Sequence, residues 1–419
     1  MLRERNPIPV EEALARIFGN VKPLGTEKVP LDEAYGRILA EPLIADHTVP
    51  PFDKSGVDGY AVIAEETKGA SHQNPILLEV IETVGAGSVP HHRLSSGQAI
   101  RIMTGAPIPE GANAVIMFEK TERVTQNGKE LIRVLQEMKP GEDISYRGED
   151  VKEGEVLLHP GKRIGPGEMA LLATYGYGNC KVFKRPVVGI LATGSELLPI
   201  SRPLEPGKIR NSNSTMLAAQ VMRAGAIPKS FGIVVDRLEE MKERIGEILP
   251  QVDLLLTTGG VSVGDYDFMY DLYQELGAEV LFDKLLMRPG KPTTVAVQEG
   301  KLLYGLSGNP GAAYVGFELF VLPALLMMMG VPERKAHLPK ARAILDEDFK
   351  KPSAFPKYVR AIYSYHRKEL HVSLAGPDQS SLTSTIQRAN CLALIPAGGK
   401  GVEKGSEIEI FFLDRCEHP

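Results

Sequence analysis

At 419 residues the chain exceeds what one hydrophobic core usually organises, so roughly two to four domains are expected. Its 48 Lys and Arg against 53 Asp and Glu give a formal net charge of -5, which excludes a general nucleic-acid binder and confines any anion site to a local cluster. Cys180, Cys391 and Cys416 lie too far apart for a zinc ribbon or a CxxC redox motif, and an odd cysteine number suits a reducing, cytoplasmic setting.

Glu4, Glu11 and Glu12 interrupt any apolar run near the start, so a signal peptide is not expected. Val10, Ala13, Leu14, Ile17 and Phe18 recur at helical spacing behind Pro7 and Pro9 and predict an amphipathic helix. His47-Thr48-Val49-Pro50-Pro51-Phe52 cannot continue a helix, and short β-type runs follow, such as Ile76–Val84 and residues 114–118, punctuated by Gly and Pro. A β-rich insert over residues 49–144 is the expectation. Residues 150–158 and 165–175 return to the character of the N-terminal region, so residues 1–48 and 145–182 are expected to form one discontinuous N-terminal linker domain.

Val187-Val188-Gly189-Ile190-Leu191-Ala192 is a continuous apolar run ending at Thr193-Gly194-Ser195-Glu196, as a buried strand entering a turn would be. Asn213 or Ser214 then caps a helix through Arg223. Strands are expected at residues 231–235, 252–257, 293–297 and 302–305, and helices at 238–249, at 268–276 and from Gly311. Residues 183–331 therefore read as a doubly wound α/β domain. Residues 311–330 carry a single charge, Glu318, but Pro323 and the surrounding strand and helix pattern favour a buried helix, with a subunit interface as one setting, over a membrane span. Beyond Pro332, alternating strands at 358–365 and Glu407–Phe412 predict a C-terminal β domain over residues 332–419.

Thr257-Thr258-Gly259-Gly260-Val261-Ser262-Val263-Gly264-Asp265-Tyr266-Asp267 leaves a strand and enters a Gly-rich turn before a helix. Glycines let a backbone approach a ligand, and hydroxyls with helix N-terminal amides present donors to phosphate oxygens. Asp265 and Asp267 beside such a loop are unfavourable against phosphate unless a cation such as Mg²⁺ intervenes; either is equally a helix-start charge. The Thr193-Gly194-Ser195-Glu196 turn brings Glu196 to the same sheet edge, yet it also reads as a plain helix start with Ser as cap. Met287-Arg288-Pro289-Gly290-Lys291-Pro292 holds two cations in a rigid turn, suited to a small oxyanion or simply exposed. Gly305-Leu306-Ser307-Gly308-Asn309-Pro310-Gly311 adds a further Gly-rich strand end, and the nine histidines show no metal spacing.

Taken together, FDKSGVDGYAV from Phe52, RIMTGAPIP from Arg101, RGED from Arg147, TGSEL, TTGGVSVGDYD, RPGKP and LSGNP resemble, in order and spacing, the molybdopterin molybdenumtransferase family, which includes the bacterial MoeA enzymes and the E domain of gephyrin. The resemblance runs end to end. It implies an α/β multidomain chain: a central molybdopterin-binding, adenylyltransferase-like domain, the β-rich insert, the N-terminal linker domain and a C-terminal β-barrel-like domain. It implies Mg²⁺-assisted insertion of molybdate into adenylylated molybdopterin, with AMP released and molybdenum cofactor formed. It also implies a cytoplasmic homodimer, with a molybdopterin adenylyltransferase and cofactor-receiving molybdoenzymes as further partners, and neither nucleic acid nor membrane.

By the same resemblance Asp58, Thr104 and Asp150 act in catalysis, the first two reaching the partner subunit's crevice. Glu196, Asp236 and Asp267 are the crevice acids and the metal ligands. Lys291, Arg288, Arg360 and Ser381 form the molybdate pocket, Lys291 being counted with the catalytic residues. Thr258, Gly259, Gly260, Ser262 and Asn309 line the pterin-phosphate and adenylate site. The chain departs from the family in three places: Arg288 stands for a usual Lys, Ser307 and Ala312 alter the PGNPVS turn, and Lys54 replaces a usual Asn. Two rival functions are a molybdopterin adenylyltransferase, to which the insert and C-terminal domain are surplus, and a non-catalytic dimeric scaffold, against which the full acid set argues.

Overall fold

The computed structural model describes residues 6–260, 268–366, 368–398 and 400–413. The chain forms two compact units, Met1–Glu41 with Pro160–Met169 and Gly178–Pro419, and Pro42–His159 with Ala170–Tyr177. The segments expected to make up one N-terminal domain are thus shared between the two.

The larger unit is organised by a six-stranded sheet, in the order Ile227–Val234, Val187–Thr193, Leu254–Thr258, Lys301–Leu306, Thr294–Gln298 and Glu279–Phe282. The first four strands are parallel and the last two pair antiparallel. The central ones are apolar throughout because both faces are covered. Helix Ser212–Ala224 and the long apolar helix share one core cluster with one face, through Leu217, Val221, Leu256 and Phe317. On the other face, helices Leu238–Ile248 and Phe268–Glu275 pack through Met241, Ile245, Leu255 and Leu272. The domain is doubly wound, as expected.

The apolar helix runs Pro310–Met328, long and apolar enough to cross a membrane but 94% buried within the protein. Its middle turn, Phe317–Val321, is a π-helix, and Pro323 follows at once, where the widened turn already leaves backbone groups out of the regular ladder.

Two local expectations are corrected. Asn211, not Asn213 or Ser214, caps helix Ser212–Ala224, its side chain accepting from the Ser214 N–H, because Asn213 is turned toward the sheet edge. The Thr193-Gly194-Ser195-Glu196 turn starts no helix: Leu197–Leu198 extends and pairs in parallel with Ile209–Arg210.

Lys340–Leu345, Glu369–Leu374, Lys357–His366, Cys391–Ile395 and Glu407–Phe412 close into a small barrel around Val359, Val372, Ile408 and Ile410. Its wall is tied to the α/β domain by main-chain bonds at the Arg288 turn, Arg288 N–H to Pro356 O (2.9 Å) and Tyr358 N–H to Arg288 O (2.8 Å). Helix Val10–Phe18 buries Val10, Ala13 and Ile17 as its periodicity predicts. Thr26–Pro30 pairs antiparallel with Asn179–Phe183.

In the smaller unit, Ala114–Met117, Gly59–Val62, Gln98–Ile102, Ile76–Val84, Lys129–Val134 and Thr121–Gln126 form a second six-stranded sheet. Alternation sends Tyr60, Val62 and Ile116 into one core cluster and Ala61, Ile100 and Val115 into the other.

Candidate functional site

Three groups of side chains carry chemistry. The first lies where four parallel strands end at one carboxyl edge. The Val187–Thr193 and Leu254–Thr258 strands are neighbours whose chains leave in opposite senses, one toward Ile227–Val234 and the other toward Lys301–Leu306, so a crevice opens between them. Gly259 follows the second strand with φ +100°, and a Cβ there would lie 2.0 Å from the Thr193 carbonyl oxygen. Only glycine permits that approach. Thr258 Oγ1 donates to Ser307 O (3.2 Å) and accepts from Asn213 Nδ2 (2.8 Å), which also donates to Gly308 O (2.9 Å). The Asn213 side-chain oxygen is buried with no hydrogen-bond partner among the described residues, leaving an acceptor for a ligand. Sequence reasoning cast Asn213 as a cap and missed this role.

Glu196 and Asp236 stand exposed at the same edge. Asp236 Oδ1 accepts from the Thr193 hydroxyl, and the Glu196 carboxylate folds back over Gly194, 2.5 Å from where a Cβ would sit. Two hard carboxylates without an ion-pair partner among the described residues suit a divalent cation that keeps part of its water shell. Ser262 and Asp267, with Asp265, lie outside the described residues, and among the described residues no group of three His, Cys, Asp or Glu is gathered to hold a metal ion.

The second group lines a cavity of about 500 Å³. Arg288, Asn309, Arg360 and Ser381, all expected to bind substrate, meet there, joined by Lys357 and Asp378, which sequence reasoning did not single out. Arg360 is 4% exposed and fixed by Nε to Thr385 Oγ1 (2.8 Å) and Nη2 to Gln379 O (2.8 Å). Burial pulls its pKa down and Asp378 pulls it back up. Gly311 makes the fit possible: its N–H donates to Ser380 O (2.8 Å), and a Cβ would lie 2.5 Å from Arg360 Nη1. Lys291 is not among the lining residues, and its Nζ sits 5.2 Å from the Phe355 ring centroid. Ala312, one of the departures from the family turn, is buried.

The third group belongs to the insert. Asp58 Oδ1 accepts from both the Thr104 N–H and the Thr104 hydroxyl, each at 2.7 Å. These bonds, with a smaller contribution from the nearby Arg101 charge, hold the exposed Asp58 carboxyl below its ordinary pKa. Arg101 lies over the Phe118 ring at 5.1 Å. Residues 46 apart in sequence, singled out from separate motifs, thus form one bonded pair. Asp150 lies on the same unit with an exposed carboxylate, and its charge helps raise the Tyr175 pKa, after burial as the main cause.

Three family models match the chain: MoeA N-terminal region (domain I and II) at residues 8–176, a probable molybdopterin binding domain at 189–327, and MoeA C-terminal region (domain IV) at 342–413. A molybdopterin molybdenumtransferase of Bacillus subtilis (strain 168) is 47% identical over 413 residues, covering 99% of this chain and 96% of the relative. A protein of the same name from Staphylococcus epidermidis (strain ATCC 12228 / FDA PCI 1200) is 42% identical, covering 99% and 97%. The crystal structure of the molybdopterin biosynthesis moeA protein from Pyrococcus horikoshii OT3 superposes with a TM-score of 0.81 at 34% identity, covering 97% of this chain and all of that one (100%).

Proposed function

The chain belongs to the molybdopterin molybdenumtransferase family, transferases of molybdenum cofactor biosynthesis, and from that premise we propose that it inserts molybdate into adenylylated molybdopterin with release of AMP. The observation that carries this reading is the cavity where Arg288, Lys357 and Arg360 meet a single acid, Asp378. Fixed guanidinium groups with serine hydroxyls match a tetrahedral dianion.

We assign the pterin phosphate and adenylate to the carboxyl-edge crevice at Thr258, Gly259 and Gly260, with Asn309 lining the adjacent oxyanion cavity; Ser262, which lies outside the described residues, is assigned to the same ligand by the family resemblance. Glu196, Asp236 and Asp267 are assigned to a Mg²⁺ ion, which when bound supplies positive charge to the departing AMP phosphate. Glu196 and Asp236 orient that charge, and the Thr193 hydroxyl fixes Asp236. Asp58 and Thr104 serve the same reaction from the insert of a homodimeric, cytoplasmic enzyme, Asp150 from the segment that follows the insert, and Lys291 from the basic turn that carries Arg288. A molybdopterin adenylyltransferase as supplier and molybdoenzymes as acceptors complete the proposal.

The test is AMP release from adenylylated molybdopterin by purified protein. Release that requires both Mg²⁺ and molybdate is expected. Absence of release would overturn the assignment, and robust adenylylation of molybdopterin from ATP would favour the adenylyltransferase instead.

A further inference from the structure

Lys357 and Asp378 form an ion pair that no family role claims. Lys357 Nζ donates to Asp378 Oδ2 at 2.7 Å, and the side chains are 11% and 18% exposed. Desolvating two charges offsets most of their attraction, so fold stability is a weak reason for such a pair. Its location supplies a better one. Both residues line the cavity that holds Arg288 and Arg360. The main-chain bond from Tyr358 N–H to Arg288 O keeps Lys357 beside the basic turn.

The ammonium of Lys357 has three hydrogens. Asp378 is its hydrogen-bond acceptor among the described residues, and Nζ otherwise lies 5.0 Å from the Phe349 ring centroid. Hydrogens therefore remain for a ligand. The charges on the lining give the same direction: three cations, Arg288, Lys357 and Arg360, less one acid, Asp378, leave +2, opposite to a tetrahedral dianion.

We infer that Lys357 binds the tetrahedral dianion directly and that Asp378 is the positioning residue that aims it. This rests on the reading of the cavity as the molybdate pocket. Asp378 cannot be replaced by a second cation without loss, because its carboxylate fixes the direction of the Lys357 ammonium.

Calorimetric titration of the full-length protein with molybdate alone, alongside molybdate-dependent AMP release, tests the inference. Lys357→Ala is expected to weaken molybdate binding roughly tenfold or more, the scale of one charge-assisted hydrogen bond. It should raise KM for molybdate and leave kcat at saturating molybdate unchanged, with Lys357→Arg recovering part of the affinity. Asp378→Asn should weaken binding although it makes the pocket more positive, which a purely electrostatic pocket would not do. Because Lys357→Ala strands a buried carboxylate, the double variant Lys357→Met with Asp378→Asn removes both charges and should show the same loss while folding. The inference fails if Arg360→Ala abolishes molybdate binding while the Lys357 variants bind like the parent protein. If the parent itself binds no molybdate and AMP release does not depend on it, the pocket reading fails first and takes the inference with it.

Discussion

Arg360 and Lys357 are nine-tenths buried and bonded to protein acceptors, whereas Glu196 and Asp236, at the carboxyl edge of the neighbouring sheet, stand exposed. On the proposed assignment, the contrast follows from what each region has to meet. An oxyanion arriving from water is favoured by donors already oriented and desolvated, since little reorganisation remains to be done on binding. Carboxylates intended for a hydrated cation keep their own water until it arrives, and burying them empty would be costly. On that assignment one region is set in advance, and the other would be completed by its ligand.

The sharpest way to break this comparison is Arg360→Ala. Loss of a buried guanidinium with two protein bonds is expected to lower unfolding free energy by about 2–4 kcal/mol and molybdate-dependent AMP release by roughly a hundredfold or more. Arg360→Lys should not restore release, because one ammonium cannot span Thr385 and Gln379 together. Near-normal release by the alanine variant, read by product assay and urea unfolding, would remove the premise that the pocket is set in advance.

Gly259→Ala comes next, and it separates the crevice frame from the crevice acids. A Cβ 2.0 Å from the Thr193 carbonyl, on a residue at φ +100°, forces two strand ends apart and should cost about 1–3 kcal/mol. The frame is rigid even though the carboxylates it carries are exposed. An unchanged urea midpoint would contradict that.

For the acids themselves a functional effect without a structural one is expected. Chelation of divalent cations should stop AMP release, and Asp236→Asn or Glu196→Gln should raise the Mg²⁺ concentration needed for half-maximal release. Their unfolding free energies should stay within about 0.5 kcal/mol of the parent, the usual range for exposed positions. A large stability loss would mean that these carboxylates are structural.

How far the sequence discloses this division differs between the two regions. Val187–Thr193, Ile76–Val84 and Glu407–Phe412 are legible because burial on one or both faces imposes an apolar period. Glu279–Phe282 is not, being a four-residue edge strand whose pairing is decided by a distant partner. The crevice motifs are contiguous, so Glu196, Thr258 and Gly259 can be found by reading along the chain. The oxyanion pocket is assembled by main-chain bonds between residues 288 and 356–358 and between 311 and 380, so Lys357 and Asp378 look in sequence like any lysine and aspartate. The cap of helix Ser212–Ala224 is hidden for a similar reason: Asn211 and Asn213 both stand at its start, and only the contact of Asn213 with Thr258 leaves the capping to Asn211.

The smallest effect is expected at Asp58, which extends the comparison to the insert. Like the crevice acids Asp58 is exposed, but like the pocket cations it is held by hydrogen bonds within the protein, in its case two donated by Thr104. Its folded pKa is lowered from the ordinary 3.8, so the stabilisation it brings is present above that value and lost only as pH falls through the lowered one. Thr104→Val deletes the hydroxyl bond and keeps the main-chain bond, so the Asp58 titration midpoint should rise part of the way back toward 3.8. NMR of the carboxyl carbon across the acid range would read this directly. At neutral pH the carboxylate is charged in both proteins, so any fall in AMP release in the variant reports lost orientation rather than lost charge. Were the midpoint to stay where it is, the Arg101 charge and the main-chain bond would be holding Asp58 without the hydroxyl, and Thr104 would be left with no positioning role in the insert.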